Sequence, residues 1–415
     1  MSKRRRVVVT GIGMLTPLGL DTESSWQAIK RGEIGIGELT RVQREELDIA
    51  VAAELKNFKA TDFIDSRSAR RMDEATQYGL ISAREAFAHS GLQKDNFDPN
   101  RAGVIFSTGI GGINTFEREK QTGLEKGYNR VSPFFIPLTI ANMTAGTVAQ
   151  DLGLHGLSTA VVTACAASTN GLGEAFHKIR DGYLDVVVAG GTEAAITPMG
   201  VGGFSAMRAL SKSTDAKRAS IPFDADRDGF VIGEGAGTLI LEEYEHAKKR
   251  GADILGEIVG YGSTSDSYHM TAPGPEATQA ARCLLLAITD AGIGPEEVGY
   301  INAHGTSTEL NDACETLAIH KTFGEHANNM KVSSTKSMTG HLLGASGVVE
   351  AAFCVLALKE QWVPPTMGLK KPDPDCDLDY VANAGEKFSF NYALKNSLGF
   401  GGHNASVVFK NYTGN

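Results

Sequence analysis

The sequence predicts an α/β protein built on a largely buried central sheet. Short β-branched runs alternate along the 415-residue chain with segments of helical periodicity, a succession typical of α/β architectures. The runs VVVT, from residue 7, and DVVVAG, from residue 185, are continuously apolar, as are strands covered by helices on both faces. Glycine is in excess, with 48 residues, about 12% against a usual value of about 7%. The backbone must therefore turn tightly, or approach other atoms closely, in many places.

The predicted elements follow one another in a regular order. Strands are expected at residues 6–10, 102–107, 159–163, 185–189, 237–241, 257–261, 298–303, 331–334 and 405–409. Each is a short β-branched run that ends in a glycine-rich turn. Helices are expected at residues 72–90, 170–180, 276–291 and 348–358, where the sequence has a helical pattern.

The order of the motifs indicates an internal duplication. The stretch that begins at Cys165 has Gly, Glu and Ala at the same offsets as the stretch that begins at His341. Further matches, in the same order, pair VVVTGIGM with EIVGYGST and GGTEA with GGHNA. The halves are predicted to meet near residue 255, one over residues 1–255 and the other over residues 256–415. If they face each other, Cys165 and His341 converge on one site.

Composition and charge argue against several classes of protein. Forty Lys and Arg residues against 49 Asp and Glu give a net charge of −9, which is unfavourable for general nucleic-acid binding. A local basic patch could still bind an acidic partner. No apolar run approaches about 18 residues, so no membrane span is expected. The five cysteines are irregularly spaced and form no CxxC pair, which favours a reduced, cytosolic setting over a disulfide framework or a zinc site.

Cys165 is the strongest candidate nucleophile. It lies in VVTACAASTNGLG, between a predicted strand and a predicted helix, with small neighbours that leave room for a substrate. The N–H groups and the dipole of a helix N-terminus lower the pKa of a thiol placed there, and the thiolate is the reactive form. The other cysteines are interpreted as structural, because Cys283, Cys314 and Cys354 lie in apolar or helical patterns and Cys376 lies in a loop between two aspartates.

Two histidines and a lysine complete a candidate catalytic group. His304 follows the predicted strand at 298–303, and His341 closes the run KVSSTKSMTGH, which also contains Lys336. A lone histidine after a strand is more often structural, but two of them beside small polar residues can serve a nucleophilic cysteine by donating and accepting protons. The run NSLGFGGHN around Phe400 is either a tight turn or a backbone N–H donor for an oxyanion, with the phenyl ring as a gate.

These motifs resemble those of a known family. TACAAS, NAHGTST, SSTKSMTGHLLGASG and NSLGFGGHN, in that order, are similar to the motifs of the elongating β-ketoacyl-acyl carrier protein synthases of the thiolase superfamily, in particular those of type II. The similarity extends over essentially the whole chain. It implies a duplicated five-layer αβαβα sandwich and a homodimer formed across a strand near the nucleophile. It also implies a cytoplasmic enzyme of fatty acid biosynthesis that needs no cofactor, since its substrates arrive on the phosphopantetheine of acyl carrier protein.

The resemblance implies a role for each matching residue. Cys165 would accept an acyl chain as a thioester, and His304 and His341 would stabilise the enolate formed when malonyl-acyl carrier protein loses CO2. Lys336 would organise the histidines electrostatically, and the backbone N–H groups of Cys165 and Phe400 would hold an oxyanion. The remaining matches are tunnel or cap residues Ile110, Phe134 and Phe135, pantetheine contacts Thr306 and Thr308, carrier-docking residues Arg67, Arg70, Arg71, Arg208 and Lys212, and a structural monovalent-cation site at Asn302, Glu350 and Asn396.

Simpler interpretations of some of these residues stay open. Ile110, Phe134 and Phe135 could equally be ordinary core, and an arginine-rich run is usually a solvated helix face. Glu350 could be a buried hydrogen-bonded carboxylate instead of a metal ligand. The chain departs from the family pattern in two places. Glu309 stands where Pro is usual, and this carboxylate could alter contacts with the carrier arm or local pKa values. The run that is often NSFGFGGTN in the family has Leu398 and His403 here.

Other activities are compatible with part of the pattern. The ketosynthase subunit of a type II polyketide or polyene pathway, paired with a chain-length factor, shares every catalytic residue, and Glu309, Leu398 and His403 leave room for such a specialised role. A chain-length factor itself is disfavoured, because that class typically lacks the nucleophile. A thiolase that uses coenzyme A is disfavoured by HGTST and GHLLGASG, with two histidines and no second catalytic cysteine near the C-terminus.

Overall fold

Ten strands of the described residues form one mixed sheet, which is the framework of the molecule. The computed structural model describes residues 4–43 and 47–414. Its strands are β1 (Val7–Leu15), β2 (Gly37–Glu38), β3 (Val51–Ala52), β4 (Ala102–Ser107), β5 (Ser158–Thr159), β6 (Val186–Glu193), β7 (Gly235–Glu243), β8 (Gly256–Ser265), β9 (Val298–Asn302), β10 (Lys331–Ser333), β11 (Trp362–Val363), β12 (Glu386–Lys387), β13 (Tyr392–Gly399) and β14 (His403–Lys410). The main sheet has the order β10-β9-β13-β14-β8-β1-β7-β6-β4-β5, and β2–β3 and β11–β12 form two small ladders.

Helices pack on the outer faces of the folded sheet and also between its two halves. Those of the described residues are α1 (Thr22–Lys30), α2 (Ser66–Ala69), α3 (Glu74–Ser90), α4 (Ile113–Lys126), α5 (Phe135–Thr139), α6 (Met143–Leu152), α7 (Ala167–Arg180), α8 (Pro198–Ala206), α9 (Tyr244–Lys249), α10 (Thr278–Ala291), α11 (Glu309–Phe323), α12 (Lys336–Thr339) and α13 (Ser346–Glu360). Within this part of the chain, no helix combines the length and the apolar character needed to cross a membrane.

The main sheet consists of two sets of five strands that have the same topology. Counted within each set of five strands, β5-β4-β6-β7-β1 and β10-β9-β13-β14-β8 both follow the order 3-2-4-5-1. In both sets the first two ladders are parallel and the next two are antiparallel. The sets join through β1 and β8 over three residue pairs, from Val7–Ile258 to Val9–Gly256. This repeated order is what a duplication predicts, whereas a division of the chain at residue 255 stays a prediction.

Two helices lie between the two sets of strands. Helix α7 contacts β6 and β4 on one side and β14 on the other, and α13 contacts α7, β7 and β13. Helix α13 is buried along most of its length, as expected for a helix that is apolar on all sides. On the outside, α3 packs on β1 and β7, and α10 packs on β8 and β14. These layers confirm the α/β class and the expected αβαβα sandwich.

Glycines in β1 and β8 allow the outer helices to approach their strands closely. A Cβ atom on Gly11 or Gly13 would lie 2.2 or 2.1 Å from backbone oxygens of α3. A Cβ atom on Gly260 or Gly262 would lie 2.2 Å from backbone oxygens of α10. Side chains cannot occupy such positions, so glycine is required at equivalent places in both halves. The match between VVVTGIGM and EIVGYGST therefore reflects the same helix–strand contact made twice.

Most predicted elements are present with shifted ends, but one prediction needs correction. The strand expected at residues 159–163 is reduced to its first residue, as part of β5, because only Ser158 and Thr159 pair with β4 before the chain turns towards Cys165. NSLGFGGHN contains a turn at residues 400–402, and its first four residues end β13 while its last two begin β14. Helix α11 and strand β13 had no counterpart among the predicted elements.

Candidate active site

Cys165 lies just before the N-terminus of the central helix α7. The 3-10 turn Ala164–Ala166 leads into this helix, and Ala164 adopts a positive φ of 50° that sharpens the turn. The thiol is 8% exposed and faces a cavity of about 350 Å³. The structure thus places Cys165 at a strand-to-helix junction, with an opening through which a substrate can reach the sulfur.

The cavity collects residues from distant parts of the chain. The candidate residues that line it are Cys165, His304, His341, Phe400, Thr306, Thr308 and Arg208. The aromatic rings of Phe204 and Phe230 also line it, although the sequence patterns did not single them out. The ring centroids of Phe230 and His341 lie 5.2 Å apart, so an aromatic wall supports one of the two imidazoles.

The acidity of Cys165 is controlled by its burial. Burial raises the pKa of this thiol to about 12, although the Lys336 ammonium and nearby backbone N–H groups lower it. The lowered pKa expected from the helix N-terminus is therefore wrong for this state, because desolvation outweighs the helix. Burial raises the pKa of the other four cysteines to about 12 as well. Access to the cavity, rather than acidity, distinguishes Cys165.

Two backbone N–H groups act on the sulfur of Cys165. They belong to Cys165 itself and to Phe400, and both lower the pKa of the thiol. The end of β13 packs directly on the Cys165 turn, because a Cβ atom on Gly399 would lie 2.9 Å from the oxygen of Thr163 and 3.3 Å from the nitrogen of Cys165. This contact holds the two N–H groups together. Such a pair of fixed donors can stabilise an oxyanion.

The two histidines lie side by side and are neutral. The ring centroids of His304 and His341 are 5.3 Å apart, with an angle of 84° between the rings. Nδ1 of His341 lies 2.9 Å from the hydroxyl of Ser346, which holds that ring in place. Burial, reinforced by the ammonium groups of Lys336 and Lys395, lowers the pKa of both imidazoles well below its usual range. Each ring therefore carries one N–H near neutral pH.

Buried charges hold the backbone around His304. The Nζ atom of Lys336 donates to the backbone oxygen of His304 at 2.6 Å and forms an ion pair with Glu350 at 2.6 Å. Burial lowers the pKa of Lys336, and the Glu350 carboxylate opposes this shift. The Glu315 carboxylate accepts the backbone N–H groups of His304 and Gly305 at 2.7 and 2.8 Å. Sequence reasoning missed Glu315, whose only signal is a carboxylate on the buried face of an unpredicted helix.

A lysine occupies the place predicted for a cation. The Nζ atom of Lys395 lies 3.5 Å from the backbone oxygen of Asn302 and 3.4 Å from that of Ala303. It also donates to the backbone oxygen of Asn396 and lies 2.8 Å from Oε2 of Glu350. These residues do not fit a monovalent metal ion, because the oxygens that would bind the ion already surround an ammonium group. The prediction of a metal ion at Asn302, Glu350 and Asn396 is therefore corrected, because an ammonium group lies there instead.

The predicted apolar tunnel residues do not line this cavity. Ile110 and Phe134 are 43% and 44% exposed, and Phe135 is half-buried. The backbone N–H of Ile110 donates to the buried carboxylate of Glu193 at 3.1 Å, which anchors the loop after β4. These three residues are therefore not ordinary core, and they contribute nothing to the cavity as one copy of the chain forms it.

Four of the five basic candidates do not line the cavity. Arg67, Arg70 and Arg71 are exposed on and just after the short helix α2, and the Arg71 guanidinium lies 5.3 Å from the centroid of the Phe134 ring. Lys212 pairs with Asp48 at 2.5 Å on the surface. Of the five basic candidates, only Arg208 lines the cavity.

The mouth of the cavity is polar on one side. The hydroxyls of Thr306 and Thr308 lie 2.9 Å apart, and both residues line the cavity. Glu309 is the exposed first residue of α11, where an acidic side chain suits the helix dipole and where Pro is also favoured. The Arg227 guanidinium donates to the backbone oxygens of Thr308 and Glu309 at 3.2 and 2.9 Å. Replacement of the usual Pro by Glu309 therefore preserves the start of the helix.

Cys165 and His341 are not equivalent residue by residue. Helix α7 begins two residues after Cys165, whereas α13 begins five residues after His341. The corresponding points in the two halves are the 3-10 turns Ala164–Ala166 and Leu343–Ala345, whose first residues have φ values of 50° and 48°. The sequence match was therefore three residues out of register, although both residues do precede a central helix.

A nucleophilic cysteine opposite two neutral imidazoles, in a duplicated sandwich, is the arrangement of the thiolase-like condensing enzymes. Residues 4–247 match the family model described as "Beta-ketoacyl synthase, N-terminal domain", and residues 255–370 match that described as "Beta-ketoacyl synthase, C-terminal domain". The chain belongs to the β-ketoacyl synthase family. It is an acyltransferase that forms carbon–carbon bonds.

Relatives of known name agree with this membership. The chain is 50% identical over 412 residues to "3-oxoacyl-[acyl-carrier-protein] synthase 2" of Staphylococcus aureus strain N315, covering 99% of this chain and 100% of the relative. It is 48% identical over 411 residues to the protein of the same name from Synechocystis sp., covering 99% of each. The resemblance recognised in the motifs is confirmed.

Solved structures of similar proteins share the fold. A type II polyketide ketosynthase in complex with its acyl-carrier protein is 35% identical, with a TM-score of 0.92 and coverage of 99% of this chain and 100% of that one. The β-ketoacyl synthase from Burkholderia phymatum is 34% identical, with a TM-score of 0.89 and coverage of 98% and 100%. The ishigamide ketosynthase/chain length factor is 33% identical, with a TM-score of 0.92 and coverage of 99% and 100%.

Proposed function

We propose that this chain catalyses the condensing step of fatty acid elongation, in which an acyl group and malonyl-acyl carrier protein give 3-oxoacyl-acyl carrier protein and CO2. The observation that supports this most directly is the cavity shared by Cys165, His304 and His341. The name of the Staphylococcus aureus relative, which is similar over 99% of the chain, supports the same reaction.

In the first half-reaction, the sulfur of Cys165 attacks the thioester carbonyl of an acyl-acyl carrier protein. The pantetheine sulfur leaves with the thiol proton, and the acyl group becomes a thioester of Cys165. The charge on the carbonyl oxygen of the tetrahedral intermediate is held by the backbone N–H groups of Cys165 and Phe400, which lie at the sulfur. Each fixed donor of this kind is worth about 10²–10³ in rate.

In the second half-reaction, malonyl-acyl carrier protein loses CO2 beside the two histidines. The electron pair of the broken carbon–carbon bond forms an enolate, whose charge lies largely on the thioester oxygen. The neutral imidazoles of His304 and His341 would each donate one N–H to that oxygen. Lys336 acts as a positioning residue, because it binds the backbone oxygen of His304 rather than the substrate.

The carbon of the enolate then attacks the acyl carbonyl on Cys165. A carbon–carbon bond forms, the sulfur of Cys165 leaves as a thiolate, and a proton from solvent restores the thiol. The reaction consumes one proton and releases CO2 and one free carrier. No electrons are transferred to an acceptor, so this chemistry requires no redox cofactor, and the substrates bring their own phosphopantetheine.

The carrier arm and the carrier protein have separate contacts in this proposal. Thr306 and Thr308 would hydrogen-bond the pantetheine at the polar side of the mouth. Arg208 would contact the carrier protein at the mouth, and the exposed arginines Arg67, Arg70 and Arg71, with Lys212, would extend the docking surface. Acyl carrier proteins are acidic, so a basic surface on a chain of net charge −9 would orient them.

A homodimer is the second part of the proposal. Strand β5 is the exposed edge of the main sheet, and the segment that precedes the nucleophile exposes large apolar side chains at Phe116, Phe134, Ile136 and Ile140. A second copy paired along β5 would cover these side chains. The acyl tunnel that Ile110, Phe134 and Phe135 fail to form in one copy would then lie at the interface. Sedimentation of the purified chain should show a dimer, and a monomer at micromolar concentration would contradict this arrangement.

A cytoplasmic location completes the proposal. All five cysteines are unpaired thiols, and each is buried. This cysteine chemistry is suited to a reducing compartment.

The two half-reactions can be tested separately with one substitution. His304→Ala removes one of the two enolate donors and leaves Cys165 and its N–H groups in place. We expect acyl transfer to Cys165, measured by mass spectrometry of the acyl-enzyme, to persist. Release of CO2 from malonyl-acyl carrier protein should fall by about 10²–10³. Decarboxylation at the original rate would remove His304 from the mechanism.

A specialised polyketide role is the second candidate, because one similar solved structure is a type II polyketide ketosynthase and another is a ketosynthase/chain length factor. Condensation assays with acyl-acyl carrier proteins of increasing chain length separate the two functions. If the protein alone extends each acyl group once, the result supports fatty acid elongation. Repeated extension without reduction, dependent on a second, cysteine-less subunit, would support the polyketide role.

A further inference from the structure

Lys395 is a fully buried lysine whose side chain cannot reach solvent. It lies in β13, between the central strands β9 and β14, and its side chain is 0% exposed. A buried ammonium group is strongly unfavourable unless a carboxylate and further acceptors surround it. Lysines in central strands are rare for this reason. The partners of Lys395 must therefore explain its presence.

Oxygen atoms from three elements surround the Lys395 ammonium. Two are the backbone oxygens of Asn302 and Ala303, at 3.5 and 3.4 Å, at the end of β9. A third is the backbone oxygen of Asn396 in β13. The fourth is Oε2 of Glu350, from the central helix α13, at 2.8 Å. This carboxylate contact is a close ion pair without the angle of a directed hydrogen bond.

The charges in this region balance without a metal ion. Glu350 lies between two ammonium groups, with Lys336 at Oε1 and Lys395 at Oε2. A second buried carboxylate, that of Glu315, accepts the side-chain N–H of Asn396 at 2.6 Å. Two carboxylates thus face two ammonium groups. A metal ion at the same oxygens would add a third positive charge in contact with Lys395, which the low-dielectric interior strongly disfavours.

The side-chain oxygen of Asn302 is a buried acceptor in this region without a hydrogen-bond partner. It is the feature most favourable to a metal ion here. A single amide oxygen does not make a metal site, however, and the backbone oxygens beside it are already bound by Lys395.

We infer that the Lys395 ammonium serves as the cation of this site, a tethered charge in place of a monovalent metal ion, so that the protein requires no such ion. The binding part of this inference is independent of the proposed function. Its catalytic consequence rests on the role proposed for His304.

The consequence for the active site follows from three successive carbonyl groups. Lys395 holds the oxygens of Asn302 and Ala303, and Lys336 holds the oxygen of His304. Two ammonium groups therefore fix the backbone that carries the His304 ring. Lys395 is in this sense a positioning residue, which acts on the histidine through the main chain and does not touch the substrate.

The unmodified protein provides the first test. Its melting temperature and its decarboxylation rate should be the same in sodium, potassium, rubidium and tetramethylammonium chloride at matched ionic strength. Crystals soaked in rubidium chloride should show no anomalous peak among the oxygens of Asn302, Ala303 and Asn396. A rubidium peak there, or a selective rise in melting temperature with potassium or sodium, would overturn the inference.

Two substitutions provide the second test, because they remove the charge in different ways. Lys395→Ser leaves space among the oxygens, whereas Lys395→Met fills it with an uncharged chain of similar length. In tetramethylammonium chloride, decarboxylation by both should fall by up to about a hundredfold, since a small displacement of the His304 backbone is sufficient for such a loss. Potassium should raise the melting temperature and restore activity of Lys395→Ser only, and rubidium should bind there.

Controls distinguish this inference from general destabilisation and from failure of the proposed function. Lys371→Ser removes an exposed lysine, whose side chain is 68% exposed, and should respond to no cation. Melting temperature and rubidium binding report the cation site even if the reaction differs from the one proposed. Lys395→Ser that matches the original protein in stability without any metal ion would contradict the inference. If that variant does not fold, the rubidium experiment on the original protein still decides.

Discussion

Single side chains in this site owe their protonation states mainly to burial. The same desolvation that raises the pKa of the Cys165 thiol lowers the pKa of His304 and His341, because it disfavours whichever form is charged. Before a substrate arrives, the cavity therefore contains a protonated thiol and two neutral imidazoles. In the proposed reaction, negative charge then develops on the reacting oxygens, which fixed N–H donors stabilise, and on the Cys165 sulfur when it leaves as a thiolate.

Alkylation of Cys165 should reflect its raised pKa. With a pKa of about 12, the thiolate fraction, and with it the rate of reaction with iodoacetamide, should rise about tenfold per pH unit from about pH 7 to about pH 10. Peptide mass spectrometry over a time course measures this for each cysteine. Cys376 has a similarly raised pKa but is only 1% exposed, so it should react more slowly. A plateau near pH 8, or earlier labelling of Cys376, would contradict this view.

The histidines should impose their own pH dependence. Because their folded-state pKa lies well below the unfolded value of about 6.5, decarboxylation should not decline as pH falls through 6.5, but only at lower pH. The unfolded chain binds protons on both rings in that interval while the folded chain does not. Their contribution to stability is therefore present above pH 6.5 and falls as pH decreases towards the folded pKa. Initial rates and urea unfolding at about pH 7.5 and 5.5 check both statements, and a break in rate near 6.5 would refute the first.

At the scale of elements, the distance between outer helix and strand is set by glycine. In β1 and β8, alternate residues are glycines over which a turn of α3 or α10 lies in direct backbone contact. The Cys165 turn follows the same principle, since Gly399 of β13 packs against it without a side chain. Packing of this closeness leaves no room to adjust, so substitutions there displace whole elements.

Matched substitutions in the two halves should show this. Gly13→Ala and Gly262→Ala each place a Cβ atom about 2 Å from a helix backbone oxygen, and each should lower the free energy of unfolding by about 1–3 kcal/mol. Gly37→Ala is the control, because no atom lies within 4 Å of its Cβ position. Urea denaturation measures all three variants. Equal stability of Gly13→Ala and Gly37→Ala would show that the helix moves away freely.

Elements with a strong local pattern could be predicted from the sequence. The apolar run of β4 has the bounds expected, and α7 and α13 extend the expected helices by only a few residues. Strand β13 could not be predicted, because Lys395 and Asn396 look like surface residues. They are buried only because Glu350 and Glu315, from distant helices, lie against them. Local rules cannot anticipate a polar strand whose partners are brought together by the fold.

The candidate site shows the same division. The motifs identified Cys165, His304, His341 and Phe400, and the structure brings all four to one cavity. They misjudged the thiol pKa, since desolvation depends on surroundings that a short motif does not contain. The prediction of a metal-ion site failed for the same reason. A motif does not show that the Lys395 ammonium lies among the oxygens that would bind the ion.

At the scale of the whole molecule, charge should decide how the carrier protein approaches. The chain carries −9 overall, so an acidic carrier is repelled by most of the surface and attracted only by local basic groups. Arg208 lies at the cavity mouth, and Arg67, Arg70 and Arg71 are exposed elsewhere. The two groups can therefore be tested against each other.

Charge reversal should separate docking from chemistry. Arg70→Glu and Arg208→Glu should each raise KM for acyl-acyl carrier protein by about three- to tenfold, with a weaker dependence on salt, and leave alkylation of Cys165 unchanged. Arg70 is preferred to Arg71 because it avoids the contact with the Phe134 ring. Lys387→Glu reverses an exposed charge on β12 and serves as the control. An unchanged KM for either arginine variant would remove that residue from the docking surface.

The duplicated strand order also has a steric consequence for the number of reaction centres. Helix α13 begins two residues after Gly344, just as α7 begins two residues after Cys165, so Gly344 is the counterpart of the nucleophile in the second half. A Cβ atom on Gly344 would lie 2.2 Å from the backbone nitrogen of Gly109. The main chain of the first half thus leaves no space for a side chain at the equivalent position of the second half. A second thiol could not be accommodated there, and the backbone alone restricts this twofold framework to a single nucleophile.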